Sequence, residues 1–158
     1  MFSSKIYKSW REIQFEKFDN IFEKLRKLGL DLGKLVLDAG SGNGFLKEYL
    51  KAHDVDVEVV ALDVDLEILL ENSSDYKVLG DANFTPFKRG VFDAIFCIDV
   101  AHLLKRLDTS PLKSSGLLVI AVPYRFKERI NSLKVDAEKV FEFVSDGREK
   151  EYVKIFQR

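Results

Sequence analysis

A chain of 158 residues, 46% hydrophobic and 32% charged, has the size and balance of one compact domain with a sizeable core, which excludes a disordered polymer. A net charge of −1, one cysteine and two histidines exclude a disulfide scaffold, a structural zinc site and the concentrated basic face of a dedicated duplex binder. No apolar run is long enough to span a membrane and the N-terminus MFSSKIYKSW lacks the apolar core of a signal peptide, so a cytoplasmic protein with no membrane partner is expected.

In chain order, Ile6, Trp10, Ile13, Phe18, Ile21, Phe22, Leu25 and Leu28 recur mostly at three- and four-residue steps. They predict an amphipathic N-terminal helix closed by Gly29. Four apolar runs follow, KLVLDA, VEVVALD, FDAIFCID and GLLVIAVP, each apolar on both faces like a strand buried in a parallel sheet. Between them FLKEYLKA, DLEILLEN and VAHLLKRL read as helices and YKVLGD as a shorter strand. The alternation predicts an α/β fold with a doubly wound, mostly parallel sheet. The C-terminal stretch KVFEFVSDGREKEYVKIFQR is two β-rich runs around an SDGR turn, an expected antiparallel hairpin. With no internal repeat or linker, residues 1–158 read as a single domain: a helix over 1–30 and a ligand-binding core over 31–158. Cys97, inside AIFCI, reads as a buried, inert thiol.

Charge is unevenly spread. Residues 35–124 carry 14 acids against 8 bases, whereas residues 1–34 carry 5 against 8 and residues 125–158 carry 7 against 9. No strong nucleic-acid signature results, although the basic ends could form a modest positive rim for an RNA or an acidic partner.

In a doubly wound sheet the ligand crevice lies at the C-terminal ends of the strands. Asp38, Asp63, Asp81 and Asp99 each follow a predicted strand there. Any one of them could be a helix cap or turn residue, but four strand ends carrying four carboxylates point to a site. After the first strand, LVLDAGSGNG places Gly40, Gly42 and Gly44 at alternate positions. A dinucleotide-binding loop would need its third glycine where Phe45 stands, and a pyrophosphate would be repelled by the acids. A cationic or zwitterionic ligand bearing hydroxyls suits the rim better.

The runs LVLDAGSGNG, VVALDVD, GDANFTPFKRGVFDAIFCIDVAHLL and LKSSGLLVIAVP, spanning 35–123, resemble the ordered motif series of the class I S-adenosylmethionine-dependent methyltransferases. The resemblance implies a Rossmann-like fold, a C-terminal antiparallel strand, and S-adenosyl-L-methionine as cofactor. It implies that Gly40, Gly42 and Gly44 let the main chain approach the methionine moiety, whose ammonium Asp38 would favour. Asp63, 19 residues past Gly44, would take the ribose hydroxyls. Val64 and Ala82 would flank the adenine and Asp81 would accept from its amine, while Ser41 and Asn43 are either direct contacts or tolerant loop residues.

A sulfonium is already an activated methyl donor, so alignment is the main demand and a base is needed only for a protonated acceptor. Asp99 and His102 are the candidate catalytic residues, with capping or packing as the alternative role for His102. Family members that methylate amino groups of bases usually carry an Asn/Asp-Pro-Pro-aromatic signature after the FDAIFCID strand; this sequence has IDVA instead, which disfavours that acceptor class. Tyr7, Trp10 and Tyr124 are candidate acceptor contacts, with residues 1–12 an expected cover; Tyr7 and Trp10 could equally be packing groups. The acceptor, small or macromolecular, and the oligomeric state are not legible. Two other readings compete with a methyltransferase: a methyltransferase-like module that binds a cofactor or partner without turnover, and a nicotinamide oxidoreductase.

Overall fold

The structure, a computed structural model, describes residues 4–158. One seven-stranded sheet runs in the order β3-β2-β1-β4-β5-β7-β6. Its strands are β1 Leu35–Ala39, β2 Glu58–Asp63, β3 Tyr76–Leu79, β4 Phe92–Ile98, β5 Leu112–Pro123, β6 Glu138–Ser145 and β7 Glu151–Gln157. The first five are parallel; β7 inserts antiparallel between β5 and β6, as the C-terminal hairpin predicts. The winding direction reverses between β1 and β4, so the segments after these two strands flank the crevice where α/β sheets bind ligands.

Strand periodicity sorts the core into two layers. Val36, Val59, Phe96, Val119 and Val153 face one side, where they meet Phe18, Ile21 and Leu25 of α1 (Ser4–Lys27) and Leu46, Tyr49 and Leu50 of α2 (Phe45–Ala52). Leu37, Leu62, Ile95, Ile120 and Tyr152 face the other, packed by Phe87, Leu104, Phe126 and Val135 from connecting segments. The helix α3 (Leu66–Glu71) lies against β2 and β3, and α4 (Lys127–Asn131) delivers Ile130 to the second layer. Cys97 is fully buried, and burial first, then the charges of Asp38 and Asp99, push its thiol up.

The helix expected over VAHLLKRL is absent. After β4 the chain makes one 3-10 turn, Ala101–Leu103, and then extends. Asn83 Oδ1 accepts from the amides of Lys105 and Arg106 at 3.0 and 3.1 Å, tying the segment to the β3–β4 connection instead of to its own preceding turn. A side chain from a distant segment thus outcompetes the local helical pattern.

In α1 the apolar stripe is buried from Gln14 onward, while Ile6 and Trp10 remain 46% and 44% exposed. The helix is fastened by Lys17, only 3% exposed, whose Nζ lies 2.7 Å from Asp99 Oδ2 and 2.6 Å from Glu151 Oε1. Burial alone would lower the lysine pKa, but the two carboxyls raise it. Burial and then the Asp99 charge push Glu151 well above the ordinary glutamate range, against the pull of Lys17. Glu151 is thus pushed toward its protonated form, and Lys17 is the cation among three carboxyls, because Glu149 Oε2 also lies 3.4 Å from its Nζ. Removing the cation strands a buried anion, so Lys17→Met should cost about 3–5 kcal/mol in urea unfolding. Glu151→Gln keeps shape and neutrality and should stay within about 1 kcal/mol of the parent; an equally large loss would mean that Glu151 is ionised.

Candidate functional site

Gly40, Gly42 and Gly44 all have positive φ, at 74°, 53° and 83°, where a side chain is strained. Their surroundings divide them. A Cβ on Gly40 would stand 2.4 Å from Val100 Cγ2 and one on Gly44 2.7 Å from Asn72 Oδ1, so these two permit close packing of the loop on its neighbours. Around Gly42 a Cβ meets nothing within 4 Å, and this glycine, with Gly40, lines a cavity of about 220 Å³. Asp38, Ser41, Asn43, Asp99 and Val100 line the same cavity, with Gln14 and Phe18 of α1 on its far wall.

Asp38 is 4% exposed, and among the described residues no hydrogen bond reaches its carboxyl. Burial first, and Asp63 second, push its pKa up to about 7. An acid kept in this state lacks a cation, and the adjacent cavity is where one would fit. Asp63 at the end of β2 accepts from the Gly42 amide through Oδ2 and from the Asp65 amide through Oδ1, both at 2.9 Å. Its carboxylate is thus held over the glycine loop. Val64 beside it is 71% exposed and Ala82 is buried. Asp81 is exposed, and the backbone and side-chain donors of Asn83 lower its pKa.

Asn72, 1% exposed, was not legible as a site residue. From the end of α3 it donates to Ser41 Oγ and to Gly42 O at 3.2 and 3.0 Å, so it brackets the loop. Lys17 and Glu151 were also missed: each reads as an ordinary surface residue until α1 and β7 are brought beside Asp99. An Asp–Lys–Glu cluster spread over residues 17 to 151 leaves no local spacing to find.

Asp99 has a left-handed backbone, φ 60°, and its Oδ2 accepts from Lys17 at 2.7 Å and Gln14 at 3.4 Å. His102 lies outside the cavity wall, stacked on Phe126 with ring centres 4.1 Å apart and its Nδ1 buried without a partner. Burial first, then Arg129 and Arg125, lower its pKa against the opposing pull of Asp99. Tyr7 bonds Glu48 of α2 and packs on Phe45, whereas Trp10 stands on the surface; neither lines the cavity. Residues 1–3 of the expected cover lie outside the described residues. Tyr124 is 38% exposed just past β5, under the ammonium of Lys150 at 3.9 Å from its ring centre.

The family model described as methyltransferase domain matches residues 37–116. The chain belongs to the class I S-adenosylmethionine-dependent methyltransferase family. Solved structures share the methyltransferase fold at low identity. A SAM-dependent methyltransferase from Aquifex aeolicus is 18% identical with a TM-score of 0.66, covering 99% of both chains. A protein from Pyrococcus horikoshii is 16% identical, TM-score 0.62, over 89% of this chain and 90% of that one. Geranyl diphosphate methyltransferase in complex with SAM is 12% identical, TM-score 0.58, over 82% of this chain and 79% of that one. No curated protein matches.

Asp38 gives the methyltransferase a pH signature. Its carboxyl titrates near 3.8 when unfolded and near 7 in the fold, so between these values the native state holds the extra proton and stability falls as pH rises. Thermal melts from pH 4 to 8 should show that decline, and Asp38→Asn should make it shallower, leaving the part that the raised Glu151 contributes.

Proposed function

We propose that the chain binds S-adenosyl-L-methionine along the ends of β1, β2 and β4 and transfers its methyl group in line to an acceptor not yet identified. The observation that carries this reading is the buried, hydrogen-bond-free Asp38 beside an open cavity floored by Gly42. When bound, the cofactor supplies an activated methyl on a sulfonium. Asp38 would hold its ammonium, and the loop amides with Ser41 and Asn43 its carboxylate, next to the first turn of α2. Asp63 would accept from the ribose hydroxyls with its remaining lone pairs, and Val64, Ala82 and Asp81 would flank and anchor the adenine. The cavity would take the methionine end, since Asp63, Val64, Asp81 and Ala82 lie outside its lining and the ribose and adenine would run beyond it.

Asp99, fixed by Lys17 and Gln14, would orient the acceptor at the methyl end. His102, kept neutral near pH 7 by burial, would take a proton from an acceptor that must lose one. The nicotinamide reading loses support from the same acids, which would face a pyrophosphate. Calorimetric titration with S-adenosylmethionine, S-adenosylhomocysteine and NAD should give binding for the first two alone; binding of NAD alone would overturn the proposal. Asp63→Ala should weaken cofactor binding by about 2–4 kcal/mol in a variant that melts normally.

Turnover is read separately, by incorporation of labelled methyl into cell extract, and its absence alongside good binding would favour the module without turnover. With the acceptor in hand, the acid limb of the rate profile should fall below the ordinary histidine value of 6.5, and His102→Ala should remove that limb. A limb that persists in His102→Ala assigns the proton to another group.

A further inference from the structure

Beyond Asp99 the surface changes sign. Tyr124, Arg125, Phe126, Lys127 and Arg129 follow β5 directly, and the Tyr124 amide donates to Lys150 O at 2.9 Å, which brings Lys150 to the same rim. Arg125, Lys127, Arg129 and Lys150 make no ion pair among the described residues, and Arg125, Arg129 and Lys150 are exposed. Each lies near an aromatic face, and Arg129 also donates to His102 O at 3.2 Å. Arg125 and Arg129 lie over Phe126 at 4.8 and 5.9 Å, and Lys127 and Lys150 over Tyr124 at 5.7 and 3.9 Å. The acids nearby are few: Glu128 on the same segment, Glu142 bonded to Tyr152, and Glu149 within 3.4 Å of Lys17. Mutual repulsion is felt by the neighbours, since Arg129 and Arg125 help lower the pKa of His102 and Lys127 that of Lys154.

We propose that this rim of cations interleaved with aromatics binds a single-stranded nucleic acid and presents one of its nucleotides as the methyl acceptor. Cations spaced along an open edge match a chain of phosphates, whereas a small anion would need them converged in a pocket. Tyr124, 38% exposed, adds a flat face on which an unpaired base stacks, a contact that every base can make and that an acidic peptide cannot use in the same way. Cation–aromatic contacts hold the ammonium and guanidinium groups until phosphates replace the rings as their partners. The rim also abuts the reacting end of the site: Lys150 adjoins Glu151, which shares Lys17 with Asp99 on the cavity wall. The acids Asp38, Asp63 and Asp99 repel the phosphates and the rim attracts them, so a bound strand stops at the boundary where a methyl group would emerge. The role in methyl transfer rests on the proposed cofactor site; the binding itself does not.

The test is fluorescence-anisotropy titration of the full chain with a labelled single-stranded RNA of about 12 nucleotides. The same-sequence DNA, the duplex, polyglutamate and a nucleoside monophosphate serve as competitors. Tight binding of a single strand is expected, with affinity falling as salt rises at a log–log slope of roughly −2 to −4, as for three to five phosphates. The triple variant R125E/R129E/K150E should bind at least about tenfold more weakly and with a shallower slope. Tyr124→Ala should weaken binding while leaving the slope unchanged. The RNA and DNA arms distinguish the two sources of the strand. Equal competition by polyglutamate would replace the proposal with an acidic protein partner, and competition by the monophosphate alone with a small anion. Unchanged binding in the triple variant, or no binding by the parent, overturns it outright. Should the neutral set R125Q/R129Q/K150Q melt normally where the reversed set does not, it carries the same comparison. Calorimetry with S-adenosylhomocysteine on the same samples reports the cofactor site independently, so failure of one reading is distinguishable from failure of the other.

Discussion

Three segments remote in the chain meet at one ammonium group. Lys17 brings α1 to Asp99 at the end of β4 and to Glu151 at the start of β7. Without it, the buried Glu151 carboxyl would face the partly exposed Asp99 carboxyl with no cation between them, which would oppose folding. With it, Asp99, Glu149 and Glu151 share one ammonium group within 3.4 Å. The position of α1 follows, and with it the cavity wall made by Gln14 and Phe18. The hairpin is held at the same point, since Glu151 pairs with Pro123 on one side and Ser145 on the other. A charge pair inside the protein thus sets the boundary of the cavity more directly than the apolar stripe of α1, which is exposed over its first turns.

Around that point the molecule divides electrostatically. Asp38, Asp63, Asp81 and Asp99 stand at consecutive strand ends on one flank, and the segment after β5 presents cations on the other. A net charge of −1 for the whole chain conceals both regions, because each is small and they cancel. The separation places opposite preferences for ligand charge within a few residues of each other, a geometry that suits two reactants of different character approaching from different sides.

The sheet was legible because its strands are buried on both faces, which makes their apolar runs continuous, and because the glycine loop after β1 is a local pattern. The strand-end acids were legible for the same reason, as topology fixes where a strand stops. The VAHLLKRL segment misled because its apolar spacing is helical while Asn83, some twenty residues earlier, captures its amides. Long-range capture of this kind leaves no mark in local periodicity. Lys17, Asn72 and Glu151 escaped notice for a related reason: each gains its importance from burial against a partner that only the folded chain supplies. Trp10 shows the reverse, a large aromatic on an apolar stripe that the fold leaves at the surface.

The two faces of the sheet are covered differently. One carries α1 and α2; the other is roofed largely by the connections around Phe87, Leu104, Phe126 and Val135. A residue inserted into a helix turns every later side chain by about 100°, which would rotate its packed stripe off the sheet. A connection absorbs the same insertion at little entropic cost. Descent should therefore treat the faces unequally, preserving length on the first and varying it on the second. The segment from Val100 to Leu104 belongs to the permissive face, so the ground beside Asp99 tolerates a change of length more readily than the helices of the first face do.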